Sequence, residues 1–284
     1  MIGFSRKGLG VSSKIALAAA AVLAVGTSSA RAVEDKYTFS AGLDFTSHYV
    51  SFGADVWGGG DSISPFSANS TAFGYGTLSA GLTDELSGFV NIWSDLNDNV
   101  DSEIGGPIQE VDFNVGLTYT WDKWSFTLAH NYWLYAGDNE NGLELLVGYN
   151  DAEMWGDSGI ALNPSLLIHY RYEGIGSQEE CAVINLGVEP TIYTFSKDSD
   201  YPISLALPVN VGFFTDDYQG GEGGGFGYAN AGVVATVPLA FIPAEYGAWS
   251  ASASVTYWYT PDEEVPGNAE ESFVVTAVSV GFSY

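Results

Sequence analysis

The stretch VDFNVGLTYTW (111–121) alternates without interruption. Successive side chains of an extended chain point to opposite sides, so Val111, Phe113, Val115, Leu117, Tyr119 and Trp121 share one face. Asp112, Asn114, Gly116, Thr118 and Thr120 share the other, and the segment reads as a strand with one apolar and one wet side. The last residues repeat the pattern, with Val274, Val278, Val280, Phe282 and Tyr284 opposed to Ala277, Ser279, Gly281 and Ser283.

Working outward, similar runs predict about twelve strands, near 37–50, 70–82, 87–96, 110–121, 124–134, 142–150, 161–172, 181–195, 202–214, 226–238, 247–260 and 271–284. Long Gly/Asp/Asn-rich connections at 51–69, 97–109, 215–225 and 261–270 interleave with tight links at 83–86 and 122–123. An all-β single antiparallel transmembrane barrel has this alternation of long and short links. The link at 151–160 is long for a turn on the short side.

A soluble β-sandwich would also alternate, but its inward face would be apolar. Here the aromatics cluster at strand ends (Tyr37, Phe39, Trp121, Trp124, Tyr170, Tyr172, Trp249, Tyr257 and Tyr259), as interfacial girdles require, while the opposite face reads as small or polar. Tyr284, with alternating apolar residues before it, resembles the terminal strand that barrel-insertion machinery recognises.

Arg6, Lys7 and Lys14 precede an apolar run at 15–25, and Ala30-Arg31-Ala32 fits small-x-small cleavage. The run is too short to span a bilayer as a helix, so 1–32 is expected to be a Sec-type signal peptide and 33–284 the barrel. Without it, only Lys36, Lys123, Arg171 and Lys197 oppose 35 acidic residues. The whole chain already carries a formal charge of −27, which excludes nucleic acid as a partner because phosphate contacts need cations. Lone Cys181 excludes a disulfide framework and a cysteine zinc site.

SAGLDFTSHYVSFG (40–53), EVDFNVGLTYTW (110–121), NYWLY (131–135), LELLVGY (143–149) and LNPS (162–165) together resemble the TorF-type porin family, a group of bacterial outer-membrane barrels. The resemblance covers mainly 37–175 and implies a porin-like role without naming a substrate. Family members usually carry Arg before the glycine of the opening strand; this chain has Phe52-Gly53, so no role of that Arg transfers.

With the aromatic face toward lipid, the ionisable residues of the other face become lumen and selectivity candidates. They are Asp44, His48, Asp95, Glu110, Asp112, Glu144, His169, Arg171 and Glu189, with Asn114, Asn163, Asn185 and Asn210 as neutral hydrogen-bonding positions. Six carboxylates against one Arg and two His favour cations, with Arg171 and His169 shaping a transverse field. The same groups pairing with one another would close the lumen instead.

Asp95-x-Asn97-x-Asn99-x-Asp101 resembles a calcium loop, yet Val100 and Gly106 stand where Gly and Glu are needed. Carboxylates here and on other loops could still share divalent cations with lipid phosphates. GGEGGGFG (220–227) lacks a strand–turn–helix context and reads as a loop. A lipid-facing hydrolase needs a His with a Ser two residues on, which His48, His130 and His169 lack, and His130 falls on the aromatic face.

The sequence thus predicts a porin-like channel passing small hydrophilic solutes or cations, embedded among outer-membrane lipids, with no cofactor implied. The rivals are a plugged structural or adhesive barrel and, remotely, a hydrolase.

Overall fold

The computed structural model describes residues 37–58, 62–135, 137–158, 161–175, 180–221 and 223–284; the expected leader, 1–32, lies outside them. The strands are β1 (Tyr37–Thr46), β2 (Val50–Ser51), β3 (Ala54–Asp55), β4 (Thr71–Gly81), β5 (Leu86–Leu96), β6 (Ile108–Trp121), β7 (Trp124–Tyr135) and β8 (Asp138–Tyr149). They continue as β9 (Ser165–Glu173), β10 (Cys181–Val188), β11 (Thr191–Phe195), β12 (Ile203–Ala206), β13 (Val209–Phe214), β14 (Gly225–Pro238), β15 (Ala248–Tyr259) and β16 (Ser272–Ser283).

All pairings are antiparallel, and β1 closes the sheet against β16, from Ser40 opposite Ser283 to Thr46 opposite Ala277. Closure gives the staves a ladder partner on both sides, as a strand protein needs in lipid, except along β11, which among the described residues pairs with β12 alone. The small hairpin β2–β3 stands apart. The pairs β10/β11 and β12/β13 are each one stave broken at a proline, Pro190 and Pro208, because proline cannot donate to the ladder. The two breaks face one another, with Leu207 N donating to Pro190 O at 3.0 Å. Twelve staves result, as the periodicity predicts.

Outward positions are apolar and exposed: Phe113, Val115, Leu117, Tyr119 and Trp121 on β6, and Leu128 on β7. The inward face corrects the expectation of uniformly small or polar residues, because Phe73, Trp93, Trp133, Phe214 and Tyr228 are buried inside the barrel. Glycines make room for inward rings. Tyr75 stands opposite Gly42, Phe89 opposite Gly116 and Tyr228 opposite Gly212, and a Cβ at any of the three glycines would overlap the facing ring. Each ring therefore lies flat across its bare neighbour, an arrangement that pins register.

One end of the barrel carries Tyr37 and Tyr284; the other carries the long loops. At the terminal end the described parts of the long connection, 150–158 and 161–164, gather around Asp151, which is buried. Its carboxylate accepts hydrogen bonds from Trp155 Nε1 (2.6 Å), Leu162 N (3.1 Å) and Asn163 N (2.8 Å). A short 3-10 helix, Ala152–Ser158, fills the length that is unusual for a turn on this side.

Candidate functional site: the acidic lumen and its plug

Ladder register sorts the inward residues into rows. One row runs Tyr75, Trp93, Asp112, Trp133, Glu140 across β4 to β8, and the next toward the loops runs Asp44, Phe73, Asp95, Glu110. Asp112 thus sits between two tryptophans, and all five acids of the two rows are buried. A row on the terminal side holds Asn91, Asn114 and Asn131, with Asn114 Nδ2 donating to Asn91 Oδ1 at 2.8 Å.

The mouth at the loop end is closed by the start of the first long loop. Segment 47–58, which contains β2–β3, turns into the barrel instead of outward, and Ser47, Tyr49, Val50, Ser51 and Phe52 are at most 4% exposed. Phe52 and Gly53 make the turn with φ of 41° and 92°. A glycine takes that left-handed conformation freely, and Phe52 holds it under the packing around its ring.

The plug is bound on two sides. Tyr49 Oη donates to Glu110 Oε2 (2.7 Å) and packs on Phe73 and Trp93. Trp57 Nε1 donates to Asp95 Oδ2 at 2.8 Å, while Thr71 Oγ1 and Asn97 Nδ2 donate to Asp95 Oδ1. Across the lumen, Phe52 packs 5.2 Å from the His169 ring, against which Trp133 also stacks, parallel within 4° at 4.8 Å, and Tyr218 packs edge-on at 6.0 Å. His169 Nδ1 pairs with Glu144 Oε1 at 3.0 Å, and Glu140 Oε1 lies 4.0 Å from Nε2. Arg171 lies 4.3 Å over the Tyr218 ring and donates to Tyr218 O and Cys181 Sγ.

Two other loops clamp the plug from above. Gln219 Nε2 donates to Ser51 O (2.8 Å) and Phe52 O (3.2 Å). Asn268 Nδ2 donates to Gly53 O (2.8 Å), and its Oδ1 accepts from Asp55 N (2.8 Å). Phe52, Trp133, Leu167, Val183, Phe214, Tyr218, Tyr228 and Val265 form one buried cluster beneath these clamps. Toward the terminal end half-exposed small polar residues, Ser40, Thr77, Thr118, Ser125, Thr127, Ser250, Ser252 and Ser279, line much of the inward face, with Phe89 and Leu146 among them.

Seven of the nine lumen candidates, Asp44, Asp95, Glu110, Asp112, Glu144, His169 and Arg171, lie on inward strand positions, with Asp44 apart from the others beside the β1–β16 seam. His48 is corrected: β1 stops at Thr46, and His48 belongs to the plug, pairing with Asp55 Oδ2 at 3.0 Å and Ser62 O at 3.1 Å. Glu189 is corrected as well, since it follows the end of β10 at the Pro190 break of that stave, off the ladder, half-buried and away from the acidic rows. Asn163 precedes β9 in the connection, with its Nδ2 donating to Glu189 O. His130 sits on the outward face and pairs with Tyr172 Oη at 2.6 Å, which masks its polar edge from lipid.

Glu140, Trp133, Tyr49 and Tyr218 carry the site and escape the sequence reading. Glu140 falls in a predicted loop because Asn139, Asn141 and Gly142 around it signal a turn, whereas β8 starts at Asp138 and extends the ladder past them. Its place four residues before Glu144 on the same alternating face was the available signal.

No protein-family model matches the sequence, and no curated protein matches it. Among solved structures the fold is similar to the NanC porin, with 10% identity and a TM-score of 0.45 over 86% of this chain and 98% of that one. It is similar also to LpxR from Salmonella typhimurium, at 10% identity and a TM-score of 0.46 over 86% and 99% of the two chains. The translocator domain of the autotransporter NalP from Neisseria meningitidis gives 13% and 0.42 over 95% of each. These likenesses concern the fold alone. The chain is a closed twelve-stave antiparallel transmembrane β-barrel.

Proposed function

We propose that this barrel is a gated, cation-preferring porin-like channel of a bacterial outer membrane, closed in this conformation by segment 47–58. The observation that carries the reading is the division of the lumen. A half-exposed, polar vestibule rises from the terminal end to an acidic wall, and a short loop segment plugs the mouth above it. On this reading the terminal end is periplasmic and the long loops face outward, as short turns and long loops are disposed in such barrels. Residues 1–32 act as the export signal, and the TorF-type resemblance belongs with the same reading.

Passage requires the plug to swing out on its loop. A cation then meets Asp95, Glu110, Asp112, Glu140 and Glu144, which replace part of its water, while Arg171 opposes them from β9. Weak, multiple sites suit passage, since tight binding would hold the solute. On this reading the chain is not a hydrolase. His48 and His169 are committed to carboxylates and packing, and His130 to a tyrosine.

A second reading, a permanently plugged structural barrel, is favoured by the depth of burial of Tyr49, Phe52 and His169. Planar-bilayer conductance of the refolded mature chain in a KCl gradient separates the two. Current steps with a cation-selective reversal potential support the channel. Silence from inserted, folded protein, persisting when the plug clamps Gln219 and Asn268 are substituted, overturns it in favour of the closed barrel.

A further inference from the structure

The 150–164 connection makes a surface that the channel reading does not use. Met154 and Trp155, on the 3-10 helix Ala152–Ser158, are 64% and 47% exposed, a large apolar pair to leave in water. Their position is fixed from both sides. Asp151 holds Trp155 by its indole N–H, and Lys123 Nζ, in the tight β6–β7 turn, pairs with Glu153 Oε2 at 2.8 Å. Tyr149 Oη donates to Met154 Sδ at 3.6 Å.

Tyr149 decides the direction. It is the register partner of Trp124, and their rings pack at 4.6 Å on the outward face, next to exposed Trp121. Met154 therefore continues the aromatic girdle of the terminal rim outward along the wall and away from the lumen. Aromatic and thioether side chains with one polar edge favour the boundary between headgroups and acyl chains.

We propose that the Ala152–Ser158 helix is a membrane foot: it lies in the headgroup layer of the leaflet at the terminal end, with Met154 and Trp155 in the lipid interface. The occupant of this face is phospholipid, because the patch is continuous with the girdle that already meets it. Short interfacial helices bury their apolar side about 5–10 Å into that boundary. The inference rests on the barrel fold and is independent of whether the barrel conducts.

The test is tryptophan fluorescence of the mature chain refolded into phosphatidylcholine vesicles whose acyl chains are brominated either near the headgroup or near the methyl end. Subtracting the Trp155→Phe spectrum isolates Trp155, and Met154→Trp adds a reporter that leaves the Asp151–Trp155 bond intact. The expected result is loss of both reporters' emission with headgroup-proximal bromine, a smaller loss with methyl-end bromine, and little loss with aqueous iodide. Emission indifferent to both brominated lipids and quenched by iodide overturns the proposal. Emission protected from all three quenchers also overturns it and places the helix against protein.

Discussion

The Phe52 ring lies 5.2 Å from the His169 imidazole, and the two residues belong to different parts of the molecule: the plug and the barrel wall. His169 is held in turn by Trp133 on its far face and Glu144 at Nδ1, so the wall presents a rigid platform to one side chain of the plug. At the plug's turn Phe52 supplies an apolar latch. On the channel reading the plug is held by Phe52 on His169, by Tyr49 and Trp57 on the acidic wall and by the Gln219 and Asn268 amides, so its release is testable residue by residue.

Phe52→Ala removes the latch. Truncating a buried phenylalanine costs about 3–5 kcal/mol in a packed core. The cost falls on the closed state, because an undocked plug no longer buries the ring. The closed-to-open ratio should drop at least about a hundredfold, read as open probability in planar bilayers. An unchanged single-channel record would remove Phe52 from the gate.

Gln219 and Asn268 should act with Phe52 and not independently. Gln219→Leu leaves the Ser51 and Phe52 carbonyls without their amide donor, and Asn268→Ala does the same to Gly53. Each loss costs roughly 1–3 kcal/mol when the freed group stays buried. Once Phe52→Ala has undocked the segment, either change should add little further opening. Full additivity in the double variants would mean that the clamps and the latch hold separate structures.

Charge selection should follow the acidic rows. Asp112→Asn with Glu144→Gln removes two of the inward carboxylates and should move the reversal potential in a KCl gradient toward the nonselective value, with conductance steps retained. A wild-type preference for anions would leave a pore but exclude the acidic wall as its filter.

The Gly42–Tyr75 pair offers a test of the wall. Gly42→Val drives methyl groups into the Tyr75 ring, and overpacking of this kind costs about 1–3 kcal/mol. The urea midpoint in detergent should fall, and Tyr75→Ala in the same chain should recover part of the loss. No recovery would show that the strain lies elsewhere.

Asp151 sets a pH dependence at the terminal end. Burial raises its carboxyl, but the donors Trp155, Asn163 and Leu162 outweigh that and hold it below the ordinary value of 3.8. The ionised form is favoured by folding, so its contribution is complete above the ordinary value and is lost as pH falls through the lower folded one. The connection should stay protected from hydrogen exchange at neutral and mildly acidic pH and loosen only below the normal carboxylate range. Asp151→Asn should loosen it at every pH, and protection identical to wild type would contradict the anchoring role.

Periodicity by itself determined the barrel. VDFNVGLTYTW tells lipid side from water side because a strand alternates at every residue, and that local rule placed Asp112 and six further lumen candidates on the inward wall. It also marked His130 as outward-facing and 151–160 as out of proportion for a short turn. It could not tell that Phe52 and His48 leave the wall to enter the lumen, since a loop's path is set by partners more than a hundred residues away, such as Gln219 and Asn268. Alternation puts Trp93 on the face of Asp95 and Trp133 on the face opposite His130, but it could not tell that the two flank Asp112: that follows from which strands are neighbours and from the offset between them, and both are fixed only when the barrel closes.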